Sequence, residues 1–197
     1  MKRSLQKIAL GLLAFISVTA YAQKNDAILN TEQVQQAIAR GAIIWDVRDE
    51  KSFLEGHIPG AINFGDAGSV LRDPNKEDYI ATEKIQKLFN DAGLNINRDI
   101  VVYGARGNPY AYFGLYTINY FGGKQAQIYH DGIDGWKLAG LPIQKERQTS
   151  APVSVTLVPQ TQLVVSNEEM LKLAQSKSAQ ILDVRTPDEY VGKDVRA

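Results

Sequence analysis

Ile100-Val101-Val102-Tyr103-Gly104-Ala105-Arg106-Gly107-Asn108-Pro109 is the stretch from which the fold can be read. Its first four residues are a short apolar run of the kind buried on both faces of a sheet. Gly104, Ala105, Arg106 and Gly107 then make a tight polar loop. Asn108 can cap a helix and Pro109 can start one, so a helix is expected over residues 110–120. A buried strand feeding a helix through a tight loop is the unit of an α/β fold with a mainly parallel sheet.

The same alternation continues on both sides. Upstream, Ile43-Ile44-Trp45 reads as a second buried strand ending at Asp46-Val47-Arg48. It lies between a helix over 31–40, with Val34, Ala37 and Ile38 on one face, and a short helix over 50–55 closed by Gly56. His57-Ile58-Pro59-Gly60-Ala61-Ile62-Asn63 imposes a turn before a further short strand. Residues 65–78 are polar and loop-like. Residues 82–92 are the clearest helix, with Ile85, Leu88, Phe89 and Ala92 on one face and Gly93 as its stop. Downstream, residues 125–130 form a third buried run, followed by a short helix around Trp136.

Composition narrows the chemistry. The chain has 197 residues, 44% of them hydrophobic and 22% charged, which excludes collagen-like, disordered and coiled-coil classes. It has no cysteine, so it holds no disulfide, no Cys-ligated metal site and no thiol nucleophile. The 2 histidines, His57 and His130, argue against a His-rich metal centre, and no cofactor is implied. Basic and acidic residues are balanced at 22 each, so no basic excess points to nucleic acid.

The N-terminus has the layout of a secretory signal peptide. Lys2, Arg3 and Lys7 precede the apolar run 8–16, and Ala20-Tyr21-Ala22 offers a cleavage site. Cleavage after Ala22 removes three positive charges and leaves 19 basic against 22 acidic residues. A periplasmic or secreted protein with no membrane segment after cleavage is the expectation.

The opening of the chain recurs near its end. Residues 30–48 align without gaps on 167–185, an offset of 137, with Asn30/Asn167, Glu32/Glu169, Ile44/Ile181, Asp46/Asp183 and Arg48/Arg185 among the matches. Ser166 and Glu169 form a capping box for the repeated helix. The polar, Ser/Thr/Pro-containing stretch between the copies lacks helical periodicity. The expected organisation is therefore a signal peptide over 1–22, a domain over 23–146, a linker over 147–162, and over 163–197 the start of a second domain that stops short. A piece of that size is expected to be mobile or loosely docked.

Together these elements resemble the rhodanese (thiosulfate sulfurtransferase) family in its tandem-domain form. Asp46-Val47-Arg48 with Phe53 and Gly56-His57-Ile58-Pro59-Gly60-Ala61 is similar to its N-terminal signature. Asp131-Gly132-Ile133-Asp134-Gly135-Trp136 followed by Gly140-Leu141-Pro142 is similar to its C-terminal one, and Asp183-Val184-Arg185 opens a second copy. The resemblance implies a three-layer domain around a mostly parallel five-stranded sheet. It also implies transfer of a sulfane sulfur, from thiosulfate to an acceptor such as cyanide, through a cysteine persulfide. That cysteine would open the loop after residues 100–103. Gly104 stands there, so no catalytic residue is assigned.

Without its sulfur, the loop leaves two readings open. Gly104, Ala105, Arg106, Gly107 and Asn108 either merely pack, or turn their amides and a helix N-terminus on a small sulfur-containing anion. Asp46, Arg48, His57, Asp131 and Trp136 read as structural signature residues, Asp46 and Arg48 as an ion pair. Tyr110, Tyr112, Tyr116 and Tyr120 either line a partner surface or pack on the linker. Two functions follow: a sulfurtransferase-family chain that is itself inactive and lacks a C-terminal half-domain as its intramolecular partner, or a non-catalytic module for an anion or protein.

Overall fold

The computed structural model describes residues 27–76 and 78–194. The signal-peptide-like segment lies outside them. In chain order the elements are β1 (Ile28–Leu29), α1 (Thr31–Ala39), β2 (Ile43–Asp46), α2 (Glu50–Glu55), α3 (Ala67–Val70), α4 (Thr82–Ala92), β3 (Asp99–Tyr103), α5 (Pro109–Tyr120), β4 (Gln125–Tyr129), α6 (Gly132–Leu138), α7 (Asn167–Ser176) and α8 (Pro187–Tyr190). All pairings within the sheet are parallel, in the order β1-β4-β3-β2.

Side-chain alternation along β3 creates the layers. Ile100 and Val102 enter one core with Trp45, Ile85, Phe89, Ile118 and Ile128, which seats α4 and α5 on that face. Val101 and Tyr103 enter the other with Val34, Ala37, Phe53, Ile133 and Trp136, which seats α1, α2 and α6. Local caps agree with this packing. Asn30 and Gln33 exchange side-chain-to-backbone bonds of 2.8 and 2.9 Å at the start of α1. Gly93 ends α4 in the left-handed region at φ 77°, where glycine is favoured.

The sheet among the described residues has four strands, not the five expected. Ile62 makes only a single-residue bridge to Trp45, through Asp46 N to Ile62 O at 2.9 Å and Ile62 N to Ile44 O at 2.7 Å. The chain leaves the edge at once because Asn63 turns its amide back onto the main chain of Asp46 and Arg48. Within the supposed loop 65–78, Asp66 caps α3 by accepting from Ser69 N.

The stretch expected as a linker is instead a belt bound to the domain. Val153 N donates to Asn90 O, Val155 N to Asn90 Oδ1, Leu157 N to Gln86 Oε1, Val158 N to Phe121 O and Gln160 N to Tyr120 O, over 2.7–3.2 Å. Val155 and Leu157 are buried in the α4/α5 core. The helical periodicity test fails here because the pattern has period 2: Val153, Val155 and Leu157 point in and Ser154 and Thr156 alternate with them. The folded unit thus runs to Gln160 rather than to residue 146.

Beyond it, α7 and α8 have local caps but no strand pairing, and Leu171, Leu182 and Val184 are exposed. Truncating the belt should expose its role. Leu157→Ala is expected to lower stability in urea unfolding by about 2–5 kcal/mol, as for other buried leucines. An unchanged midpoint would return residues 147–162 to the status of a connector.

Candidate functional site

β2, β3 and β4 end in register at Asp46, Tyr103 and Tyr129, and the loops leaving them meet at that edge of the sheet. The β2 loop is fixed by a buried ion pair. Asp46 accepts from Arg48 Nη2 at 2.6 Å, Nε at 3.0 Å and the Arg48 main-chain N at 3.1 Å. Arg48 Nη2 also donates to Gly56 O at 2.9 Å, and Asn63 Nδ2 donates to Asp46 O and Arg48 O at 3.0 and 2.6 Å. Beside the pair, Tyr103 Oη accepts from Ile58 N at 3.0 Å. Burial, then the neighbouring Asp46 carboxylate, push the Tyr103 phenol well above its usual range.

The β3 loop is filled and internally bonded. A Cβ placed on Gly104 would stand 2.8 Å from Asn108 Nδ2 and 3.0 Å from Asn108 Cβ and Cγ, so the Asn108 side chain occupies the space in front of Gly104. Asn108 is held there by its cap, accepting from Tyr110 N at 2.8 Å. Arg106 N donates to Asp134 Oδ2 at 2.7 Å, Gly107 N to His130 O at 3.0 Å and Asn108 N to Ala105 O at 3.1 Å. Three of the amides expected to face an anion are therefore committed within the protein. The first turn of α6 also closes on the loop, Ile133 N donating to Gly104 O at 3.0 Å. Gly132, at φ 54°, permits this approach: a Cβ there would collide with Gly104 O.

The other signature residues take structural positions. His57 is buried, its Nδ1 is 2.9 Å from Phe53 O, and its ring stacks on Phe53 with centroids 3.7 Å apart. Trp136 is buried and donates to Pro142 O at 2.8 Å. Asp131 reaches Arg106 Nε at 3.5 Å, a half-exposed pair of small energetic weight. The tyrosines of α5 divide. Tyr110 covers Gly68, Tyr112 Oη lies 2.7 Å from His130 Nδ1, and Tyr116 stacks on Tyr120. Asn63, Tyr103 and Asp134 also matter to the site. Asp134 lies inside the motif over residues 131–136, whereas the roles of Asn63 and Tyr103 carry no motif signal. Among the described residues, no three His, Asp or Glu side chains cluster to hold a metal ion.

The family model for a rhodanese-like domain matches residues 30–139, more than half of the chain. The chain belongs to the rhodanese-like family. A putative thiosulfate sulfurtransferase of Mycobacterium leprae is 26% identical over 173 residues, 86% of this chain and 61% of that protein. A thiosulfate sulfurtransferase of Corynebacterium glutamicum is 32% identical over 148 residues, 71% of this chain and 47% of that protein. The chain thus spans about half to three-fifths of the curated relatives it matches. In structure it is similar to a 3-mercaptopyruvate sulfotransferase of Escherichia coli, with a TM-score of 0.75 at 20% identity, covering 84% of this chain and 68% of that one. An anaerobic ergothioneine biosynthesis enzyme of Chlorobium limicola gives 0.73 at 20% identity, over 85% and 46%. At such identities the likeness concerns the fold.

Two measurements check the energetics of the buried polar groups. Arg48→Met leaves the Asp46 carboxylate buried and uncompensated, and should cost about 3–5 kcal/mol in urea unfolding. The pH dependence follows from the tyrosines. Burial also raises the Tyr79 phenol, against a weaker opposing effect of its bond to Thr117. Folded Tyr79 and Tyr103 stay neutral where unfolded phenols ionise, so their contribution is complete below pH about 10. It is then lost as pH rises towards the folded-state values, by about 1.4 kcal/mol per pH unit and group. Tyr79→Phe should flatten part of this alkaline slope; an unaltered slope would show that Tyr79 is not protected.

Proposed function

We propose that this chain is a catalytically silent member of the rhodanese-like family, the non-transferring unit of a tandem sulfurtransferase. The observation that carries the reading is Gly104 at the place where the family resemblance puts the persulfide cysteine, with Asn108 filling the space in front of it. No other residue can substitute, because the chain contains no cysteine and persulfide chemistry needs a thiolate. The thiosulfate sulfurtransferase relatives support the activity class of the tandem parent.

Residues 163–194 are, in this reading, the opening of a second rhodanese-like unit whose remaining strands would cover the exposed Leu171, Ile181 and Leu182. Three features support it. The sequence repeats at a constant offset of 137, α8 begins at Pro187 just as α2 begins at Glu50, and Asp183 and Arg185 form the same clasp as Asp46 and Arg48. The structural likeness also extends beyond the span of the family model, to 84% of the chain. Export through the N-terminal signal-peptide-like segment, to a periplasmic or secreted location, belongs to the same proposal. The alternative, a module that holds a small anion on the β3 loop, is less favoured because Asp134, His130 and Ala105 already take the amides of Arg106, Gly107 and Asn108.

Thiocyanate formation from thiosulfate and cyanide by the purified chain should not exceed a heat-killed control; clear turnover would overturn the proposal. Adding the thiol separates space from chemistry. Gly104→Cys alone must displace Asn108 and is expected to lower stability by about 1–3 kcal/mol. In Gly104→Cys with Asn108→Gly the space in front of residue 104 is vacated, and glycine at a helix N-cap costs only about a few tenths of a kcal/mol. The thiol pKa of this variant should fall below the ordinary value of about 8.5, because α5 begins there. An unshifted thiol in the double variant would mean that the loop offers a thiolate no help.

A further inference from the structure

A second concavity lies away from the β3 loop, where α5 faces the start of α7. It encloses about 470 Å³, within the range of about 300–1,000 Å³ typical of small-molecule sites. Its walls come from three separate parts of the chain: the segment around Asp78 and Tyr79, the outer face of α5, and residues 161–169. None of these is part of the β2 or β3 loop.

Four rings line it: Tyr79, Phe113, Tyr116 and Tyr120. They are locked against one another, Tyr79 stacking on Phe113 and Tyr120 with centroids 5.5 and 5.1 Å apart, and Tyr120 on Tyr116 at 5.9 Å. A bond of 2.8 Å between Tyr79 Oη and Thr117 Oγ1 anchors the stack to α5. The wall is thus preorganised, and a ligand need not pay to order it.

The charge of the lining has a sign. Asp78 and Glu169 both line it, against the single positive charge of Arg72, which already has an interaction partner in the protein. The phenol of Tyr116 lies close enough to Tyr120 and Asp78 for both, after burial, to disfavour its ionisation. Phenol oxygens and a carboxylate thus lie near one another in the lining, and Phe113 and Val164 add apolar surface. Ring faces and carboxylates attract cations.

We propose that this cavity binds an organic cation, an ammonium group carried on a small apolar or aromatic body. The cation sits between Asp78 and Glu169, and the body rests against the α5 rings. Because α5 and α7 contribute jointly, a bound cation clamps residues 167–176 to the domain. The inference does not depend on whether the chain transfers sulfur.

The test is calorimetric titration of the full chain with benzyltrimethylammonium, and with phenylacetate as an anion of similar size. Saturable binding of the cation with a Kd of about 1 mM or tighter is expected, and none of the anion. Asp78→Asn and Glu169→Gln keep the carbonyl oxygens that accept from Tyr79 N and Ser166 N, and remove only charge. Each should weaken the cation about 3- to 30-fold, while Glu83→Gln on α4 should not. Saturating cation should also slow amide exchange across α7. Equal or preferred binding of the anion would overturn the proposal, as would the absence of saturable binding, indifference to both charge removals, or unchanged exchange in α7.

Discussion

The fully buried Asp46 carboxylate is the constraint around which the site end of this domain is organised. A carboxylate taken out of water costs several kcal/mol unless its oxygens are matched by good donors. Arg48 supplies both a side-chain fork and its own main-chain N–H, and this folds residues 46–48 into one shape. The same guanidinium holds Gly56 O, so the end of α2 is tied to the end of β2. Asn63 completes the frame from the other side by binding the carbonyls of Asp46 and Arg48. That last contact also explains the sheet's width. The Asn63 amide takes Asp46 O, the next main-chain acceptor that a continuing parallel strand would use, so pairing at this edge stops at Ile62.

The β3 loop shows how a strand-to-helix turn can satisfy its own donors. Donors at a helix N-terminus cannot be left unpaired without cost. In this chain they are satisfied from within, Asp134 taking Arg106 N, His130 O taking Gly107 N, and the Asn108 side chain taking Tyr110 N. Asn108 meets two needs at once, as helix cap and as filler of the volume in front of Gly104. Stability of the loop therefore requires no ligand, and the arrangement is self-consistent as a piece of scaffold.

Legibility in the sequence followed the range of the forces involved. α1, α2, α4 and α5 could be placed to within a residue or so because apolar spacing and caps act over three or four positions. The buried runs of β2, β3 and β4 were equally plain. β1 was not, since its two residues are a strand only by virtue of pairing with Ile128 and Tyr129, about a hundred positions away. The belt over residues 147–160 was hidden for a related reason. Its alternation of Val153, Val155 and Leu157 is short and set among polar residues, and the groups that bind it, Gln86, Asn90 and the end of α5, lie far upstream. At the site, the motif residues Asp46, Arg48, His57 and Trp136 were visible as types. What they bind was not, nor was the role of Asn63 and Tyr103, whose partners are main-chain groups that a residue pattern does not record.

Residues 166–190 separate these two kinds of force within one molecule. They share local features with residues 30–55: a capped helix, an Asp183–Arg185 clasp with an Arg185 Nη2 to Asp183 contact of 2.7 Å, and a second capped helix just after it. They do not share the non-local ones. Where Ile44 and Trp45 are buried and paired with β3, Ile181 and Leu182 are exposed and unpaired with any strand among the described residues. The clasp differs accordingly. Asp46 is fully buried and its pair is nine-tenths enclosed, whereas Asp183 and Arg185 face water, where an ion pair contributes little. Hydrogen bonds across two to four residues thus form in both segments from the same sequence signals. The energetic weight of the clasp comes from the sheet and core that enclose it at Asp46 and Arg48, not from the Asp-x-Arg sequence itself.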